Sequence, residues 1–559
     1  MPDQQRYSVF DQEVTSECTW TRVNIGEAMP GVPTPLTWTW CGAASNEFLF
    51  RAWIELGVFP RSILHLVETG NERFVAIMNG RPVINLDLMR AVGDRIPGNS
   101  GNSVEASIFG TSREGVESRP VRGRYPFVCV KLPLATWQSR RKILAAISPT
   151  REWWVRHTAG NRNMSPDEAR DLLLESRQRY VSVGTSHCVA RLFGQGLYAE
   201  AMAFCEKHGI GERASALLAS YGDTEEAETV DDLWKLSRDQ MRLEAFLALH
   251  GYHAPVQGEL AVPSWRVDST PVMRLAKSYA KRPDAESPSI KRMVLRTARE
   301  ELERALLASL SPGRRLFLKT LLKLARYYMP LAEIGRMIFL QLYDVARAAS
   351  RVLGEDLARR GYLAEAADVY YLTVEELTGD LPSDSRQRVS TRRQLRGFYA
   401  GHTIPELFTG RPDLLPLDSA PDIERLEGVP GSPGTVEGRA RVVLDPDDST
   451  ELHAGEILVC ETTNPSWASF FFLAGGVVID IGGALSHGAI VAREMGIPAV
   501  LNVRTGTKVI KTGDCLRVDG TAGTVEILER TSGHECIHVD ETTENDRTES
   551  TTTQSSPML

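Results

Sequence analysis

One stretch of this chain has the residue types and spacing to carry a phosphoryl group on nitrogen: Gly482-Gly483-Ala484-Leu485-Ser486-His487-Gly488-Ala489-Ile490-Val491-Ala492-Arg493-Glu494-Met495-Gly496-Ile497-Pro498. Val477-Val478-Ile479 reads as a buried strand closed by Asp480, and Gly482 and Gly483 allow the tight turn after it. From Ser486 the spacing of Ala489, Ile490, Val491, Ala492 and Arg493 is helical, and Gly496-Ile497-Pro498 stops the helix. His487 is therefore expected on the first helical turn, its imidazole exposed for attack, where helix N–H groups stabilise an anion bound to it. A hydrogen-bonded histidine at a helix N-terminus is the plain alternative. Arg493, about two turns along, reads as structural support rather than a phosphate clamp.

Two other stretches have groups suited to holding a hydroxylated acceptor. In Trp20 to Trp38, Asn24, Glu27 and Thr34 stand beside Trp20 and Trp38, and three prolines with two glycines argue for an ordered loop or extended arm. The arm is read either as a pocket for an aromatic ligand or as packing of its tryptophans into the core. Further on, a helix ends at Gly251 and enters a loop with His250, His253, Glu259 and Trp265. His253 is the candidate base, since an imidazole near its ordinary pKa accepts a hydroxyl proton at neutral pH. A hydrogen-bonded loop between helices is equally consistent with those residues.

These residues need a scaffold, and the chain has one of ample length. At 559 residues it is long enough for two or three domains. Its 42% apolar and 24% charged content is that of a globular protein. The longest apolar run, Phe470 to Ile479, is about half of a bilayer span, and no signal peptide is visible. The net charge of -8 is concentrated after Ser532, where six acids face one arginine, so neither a nucleic-acid nor a membrane surface is expected. Eight scattered cysteines without CxxC spacing read as reduced thiols in the cytoplasm. Ser165-Pro166-Asp167-Glu168 is a capping box opening a helix, and Lys291 to Leu377 is strongly helical. Gly194-x-Gly196-x-x-Ala199 lacks the strand–turn–helix context of a dinucleotide loop. His534 and His538 have no third ligand, so no metal site is expected. After a Pro/Gly-rich linker, short strands are expected at Glu456–Cys460, Val477–Asp480, Ala499–Val503, Cys515–Asp519 and Thr524–Leu528.

The GGALSHGAIVARE-x-GIPAV segment resembles the phosphohistidine motif of the dikinase family, which includes phosphoenolpyruvate synthase, pyruvate phosphate dikinase and rifampin phosphotransferase. His487 matches the histidine that takes the β-phosphoryl of ATP. Leu485 departs from the threonine of many relatives. Thr462-Thr463-Asn464-Pro465 resembles the family loop beside that histidine, so Thr463 and Asn464 join Gly482, Gly483, Ser486 and Arg493 in the implied loop. The N-x-x-E-x-x-PG-x-x-TPL-x-W arm, the loop from Phe246 to Arg266 and Asp368 to Leu377 resemble parts of the acceptor region of rifampin phosphotransferases. There Tyr252-His253 and Ser264 depart from the usual residues, so the substrate does not carry over. Asn24, Glu27, Thr34, Trp38, Glu259 and Trp265 are the implied acceptor-binding residues.

The implied architecture is multidomain α+β. A mainly helical acceptor-binding domain (1–422) precedes a β/β/α swivelling phosphohistidine domain (423–530) and a disordered acidic tail (531–559). Neither an ATP-grasp domain nor a P-loop is found, which resembles the large subunit of split phenylphosphate and alkylphenol-phosphate synthases. The resemblance implies ATP and Mg2+ held by a separate ATP-grasp subunit and a phenol or p-cresol type acceptor. An antibiotic acceptor and a non-catalytic ligand-binding remnant are the other readings.

Overall fold

A computed structural model describes residues 8–12, 17–23, 25–64, 73–109, 112–113, 115–158, 164–208, 217, 225–416, 423–444, 452–463, 467–483 and 486–531. The protein is multidomain α+β. Its largest layer is a bundle of α2 (Pro35–Glu55), α3 (Tyr125–Thr158), α4 (Pro166–Lys207), α9 (Pro312–Tyr328) and α10 (Pro330–Arg359), preceded by the single turn α1 (Ile25–Ala28). Apolar residues at helical spacing on each member meet in one core around Trp40, Trp154, Leu173, Ile338, Leu342 and Val345. The polar tips of its tryptophans are satisfied inside: Trp40 Nε1 donates to Ser176 Oγ at 3.1 Å, and Trp154 Nε1 to Asp344 Oδ2 at 2.8 Å. Ser165 caps α4 as expected, accepting from Glu168 N at 3.2 Å, and the Gly194–Ala199 stretch lies inside that helix, away from any phosphate loop.

The N-terminal arm, read as an ordered loop or extended arm, begins as a short strand and ends in a helix. Strand β1 (Thr19–Thr21) joins β2 (Val75–Met78), β3 (Arg81–Asn85) and β4 (Leu407–Thr409) in a sheet of order β2-β3-β1-β4. Pro35 then begins α2 instead of preventing it, because proline at the first helical position lacks only an N–H that would have no helical partner. Thr34 caps that helix, its hydroxyl accepting from Thr37 N at 3.4 Å.

The C-terminal unit is an eight-stranded sheet of order β5-β12-β11-β7-β8-β9-β10-β6. In chain order the strands are β5 (Arg425–Glu427), β6 (Val429–Ser432), β7 (Thr435–Val442), β8 (Ile457–Cys460), β9 (Gly476–Ile479), β10 (Ala499–Leu501), β11 (Cys515–Asp519) and β12 (Thr524–Glu529). The central four are parallel, with Val478 opposite Val459 on one side and Val500 on the other. Such strands are covered on both faces and therefore read as continuous apolar runs. One face holds Val459, Val478, Val500, Leu516 and Val525. The other is covered by α11 (Ala468–Leu473) and α12 (His487–Met495).

That second face does not end at the domain. Its apolar layer runs on into α5 (Glu225–Leu236), α6 (Leu243–His250) and α7 (Thr270–Ala280), with Phe472 against Tyr279 (ring centroids 4.8 Å) and Trp234 (5.8 Å). Six cysteines (18, 41, 129, 188, 205 and 460) are free thiols, whereas Cys515 is disulfide-bonded, which departs from the all-thiol expectation. No helix among the described residues is long and apolar enough to cross a membrane.

Candidate functional site

The loop after β9 is fixed at both ends. Asp480, 3% exposed, accepts from Thr507 N at 3.1 Å. Burial pushes its carboxyl up to about 6, against those hydrogen bonds. After Gly482 and Gly483, Ser486 takes an extended conformation (φ −67°, ψ 164°) and caps α12, its hydroxyl accepting from Ala489 N at 3.3 Å. Gly488 is required by close approach: a Cβ there would stand 2.5 Å from Ile479 Cδ1 and 2.8 Å from Thr463 Oγ1. Thr463 thus lies beneath the first turn of α12. Arg493 donates from Nε to Gly431 O at 2.7 Å and lies over the Tyr198 ring. Asn464, Ala484 and Leu485 are outside the described residues.

His487 occupies the first position of α12, but it is 7% exposed instead of open to solvent. The reason is tertiary: the sheet unit docks on the helical layer, and the imidazole faces α10 and α5. Arg336 Nη1 is 2.6 Å from His487 Nδ1. A guanidinium only donates, so Nδ1 accepts and the neutral ring carries its proton on Nε2. The same Arg336 nitrogen is 3.0 Å from Glu333 Oε2 and 3.4 Å from Glu226 Oε1. Carboxylate oxygens of Glu226 and Glu333 and a ring nitrogen of His487 lie within 4.8 Å of one another. Burial and the facing Glu333 push Glu226 well above the carboxylate range. In Glu333 burial acts in the same direction, but the Arg336 guanidinium overrides it and holds the group at about 2. The pair therefore holds one proton, on Glu226, which is farther from Arg336. Behind them Glu494 is pushed up to about 8, by burial first and by Glu333 second. His187 of α4 is pushed down to about 3 by burial and the nearby Arg191 and Arg336, so it stays neutral.

The two stretches expected to hold an acceptor do meet, but they meet each other. Glu259 accepts from Thr34 N (2.9 Å), Thr34 Oγ1 (2.7 Å), Thr37 Oγ1 (2.5 Å) and Ala261 N (2.9 Å). The fully buried Arg347 binds the backbone of the same loop, with Nη2 2.8 Å from Gln257 O and 2.9 Å from Glu259 O. Thr34 and Glu259 are thus a lock between arm and loop, with their hydrogen-bonding capacity used inside the protein. Trp38 (4% exposed) and Trp265 (2%) are core residues, the latter beside His253 with ring centroids 4.9 Å apart. His253 is corrected as an open base. It is wholly buried, Nε2 lies 2.7 Å from Glu225 Oε1, and Gln257 Nε2 donates to Nδ1 at 3.1 Å. Asn24 and the side chain of Glu27 are outside the described residues. The residues that do meet His487, namely Arg336, Glu333 and Glu226, were not singled out by sequence. Their one local signal is the Glu333/Arg336 i, i+3 pair flanking an apolar face.

Two segments that carry this site match known protein families. Residues 452–523, which include His487, match the PEP-utilising enzyme mobile domain, and residues 239–333 match the rifampicin phosphotransferase fourth domain. The chain is 38% identical over 216 residues to a rifampicin phosphotransferase of Streptomyces sviceus, covering 38% of this chain and 25% of that protein. It is 34% identical over 215 residues to the rifampicin phosphotransferase of Bacillus subtilis, with 38% and 25% covered. It is 32% identical over 300 residues to the prodigiosin synthesizing transferase PigC of Serratia marcescens, with 52% and 33% covered. The chain thus spans a quarter to a third of the length of these relatives. His487 lies in the mobile-domain match and Glu333 at the end of the fourth-domain match, so the two segments that meet at this site are similar to two parts of PEP-utilising, dikinase-like phosphotransferases.

Proposed function

We propose that the chain is the phosphohistidine-bearing part of a dikinase-type phosphotransferase, and that the docked arrangement is its phosphoryl-delivery station. One observation supports this most directly: Arg336 on His487 Nδ1, with the half-protonated Glu226–Glu333 pair beside the ring. With ATP and Mg2+ held on a separate ATP-binding subunit, His487 Nε2 gives up its proton to solvent and attacks the β-phosphorus; the bond to the α-phosphate oxygen breaks and AMP leaves, and water then removes the γ-phosphoryl as phosphate. The sheet domain then carries the phosphoryl group on Nε2 to the hydroxyl of a small aromatic acceptor of phenol or p-cresol type. There the acceptor oxygen attacks phosphorus, its proton passes to the ionised member of the carboxylate pair, and the P–N bond breaks with its electrons going to Nε2. Negative charge spreads over the imidazole, and the Arg336 N–H on Nδ1 offsets it. The buried station keeps water from the phosphoryl group.

The rifampicin phosphotransferase matches favour a second acceptor class, an antibiotic hydroxyl. One experiment covers both. The chain is charged either with an ATP-grasp subunit and β-labelled ATP or, without any partner, with phosphoramidate, and phenol, p-cresol or rifampicin is then added. Acid-labile label is expected on His487 and absent in His487→Ala. Label persisting in that variant sinks the carrier assignment, and label lost only to water with all three acceptors sinks the acceptor assignment.

A further inference from the structure

On the far side of the first turn of α5 lies a second buried cluster that the phosphoryl chemistry does not use. Glu225 Oε1 is 2.7 Å from His253 Nε2, 2.7 Å from the Tyr252 hydroxyl, 3.0 Å from Thr229 Oγ1 and 3.8 Å from His250 Nδ1. One oxygen of Glu225 and one nitrogen of each histidine lie within 4.8 Å of one another. The side chains are 9%, 5% and 0% exposed for Glu225, His250 and His253. Each imidazole is also held from behind. His250 Nε2 is 2.9 Å from Asp232 Oδ2, and His253 Nδ1 receives Gln257 Nε2 at 3.1 Å. Both rings thus have an outer partner on one nitrogen; the other nitrogen faces Glu225, directly in His253 and, in His250, beside the Thr229 hydroxyl 3.0 Å from Nδ1. An outer carboxylate that accepts from the ring N–H, as Asp232 does from His250, is how proteins orient an imidazole on a metal ion, and Gln257 does the same for His253 once its amide turns to present Oε1 to Nδ1–H.

We propose that Glu225, His250 and His253 form a binding site for a divalent transition metal ion, Zn2+ by its donor set, with the Tyr252 hydroxyl or a water as fourth ligand. Two imidazoles and one carboxylate suit Zn2+, whereas Ca2+ and Mg2+ require more oxygen ligands. The fit needs small movements. Ligand arms of about 2.0–2.1 Å in a tetrahedron put neighbouring donor atoms about 3.3 Å apart. The 2.7 Å contact of Glu225 with His253 opens by roughly half an ångström, and the 3.8 Å contact with His250 closes by a similar amount. On binding, the metal ion takes the place of the His253 Nε2 proton, which moves to Nδ1.

The triad of Glu226, Glu333 and His487 offers the same ligand types, but the Arg336 guanidinium, 2.6 Å from the ring, takes the place a cation would need. The metal is therefore assigned to one triad alone. Its role is positional: it ties the first turn of α5 to the loop after α6 and so holds Glu226 toward His487. The assignment does not depend on the phosphotransferase reading.

The full chain, purified without a histidine tag and stripped with a strong chelator, is titrated with Zn2+ and with Co2+. About one equivalent of Zn2+ is expected to bind and raise the melting temperature, and Co2+ is expected to give the visible bands of a four-coordinate site. Glu225→Gln with His250→Gln, which keep the side-chain shapes, abolish the Co2+ bands. Asp232→Asn keeps all three ligands and weakens Zn2+ binding about 10–100-fold. His487→Ala keeps the bound equivalent. Absence of stoichiometric metal in the unmodified chain, bands persisting in the double variant, or loss of metal in His487→Ala each overturns the proposal. The first of these outcomes identifies the cluster as a hydrogen-bonded ion network only.

Discussion

Replacing Arg336 by methionine tests the delivery station most directly, because it removes the guanidinium on His487 Nδ1 while keeping the length of the side chain. Arg336 Nη1 is 2.6 Å from His487 Nδ1. A full charge pair at that separation is worth about 6 kcal/mol with an effective dielectric constant near 20. In the transition state the ring carries only part of a charge, shared between two nitrogens, so about half of that, ~3 kcal/mol, is a reasonable ceiling. Divided by 1.36 kcal/mol per decade, this is about a hundredfold in rate, in the range measured when one preorganised donor is removed from an oxyanion site. The assay charges wild type and Arg336→Met with phosphoramidate, confirms equal loading by mass spectrometry, and follows single-turnover loss of label to acceptor. The expected result is equal loading and a ~10²-fold slower transfer, with Arg336→Lys in between, because lysine keeps the charge but not the fork. Transfer within threefold of wild type, in a variant with an unchanged circular dichroism spectrum, would refute the leaving-group argument.

Three further outcomes are expected. Glu494, pushed up to about 8 from 4.5, holds a proton in the folded protein that the unfolded chain has released; stability therefore falls as pH rises between those values and levels off above them. Glu494→Gln should match wild type in melts at pH 4 and exceed it by up to about 4 kcal/mol at pH 8, and an equal difference at both pH values would remove the burial argument. Glu259→Ala leaves the donors of Thr34, Thr37 and Ala261 without their acceptor and should cost on the order of 3 kcal/mol in denaturant melts with no change in phosphoryl transfer. An acceptor-binding role would give the reverse pattern. Phe472→Ala removes the ring packed on Tyr279 and Trp234, so limited proteolysis between residues 401 and 428 should accelerate at least tenfold, and an unchanged cleavage rate would mean that α11 does not hold the domains together.

What the sequence revealed and what it did not divide along the range of the interactions. The strands at 457–460, 476–479, 499–501, 515–519 and 524–529 were legible within a residue or two, because each is a short apolar run between turn signals. The helix beginning at His487 was legible for the same reason: its N-cap serine, its glycines and its stop all lie within a dozen residues. The burial of His487 was not legible, since it comes from docking against helices 150 and 260 residues away in sequence. Arg336 looked like one more solvated arginine on the flank of an apolar helix, and nothing local to residue 336 shows what it faces. The acceptor reading of Thr34 and Glu259 found the right pair of segments but the wrong use. Hydroxyls and a carboxylate that could hold a ligand serve equally well to hold each other, and only a distance between them decides.

The burial of His487 also bears on how it is charged. On the proposed reading, an imidazole 7% exposed behind Arg336, Glu226 and Glu333 is closed to a nucleotide held by a partner, and charging is expected with the sheet domain away from this position. Two separations are conceivable, with α5–α7 travelling with the sheet or staying behind. The loop that follows α6 is bound to the helical bundle through Glu259 to Thr34 and through Arg347, all inside the core. Those contacts keep α5–α7 with the bundle. The break must then run between α11 and the ring pair of Trp234 and Tyr279, through Phe472. Exposing one buried phenylalanine side chain costs about 1.5–3 kcal/mol, and several apolar residues of α11 are exposed together, so the docked state dominates in the isolated chain. A nucleotide-bearing partner that bound docked and undocked forms equally would change nothing, however tight its binding. It has to grip surface that docking hides. Of that surface, α11 and the start of α12 carry both the apolar area and His487 itself, so the partner is expected to bind there and to compete with α5–α7 for it.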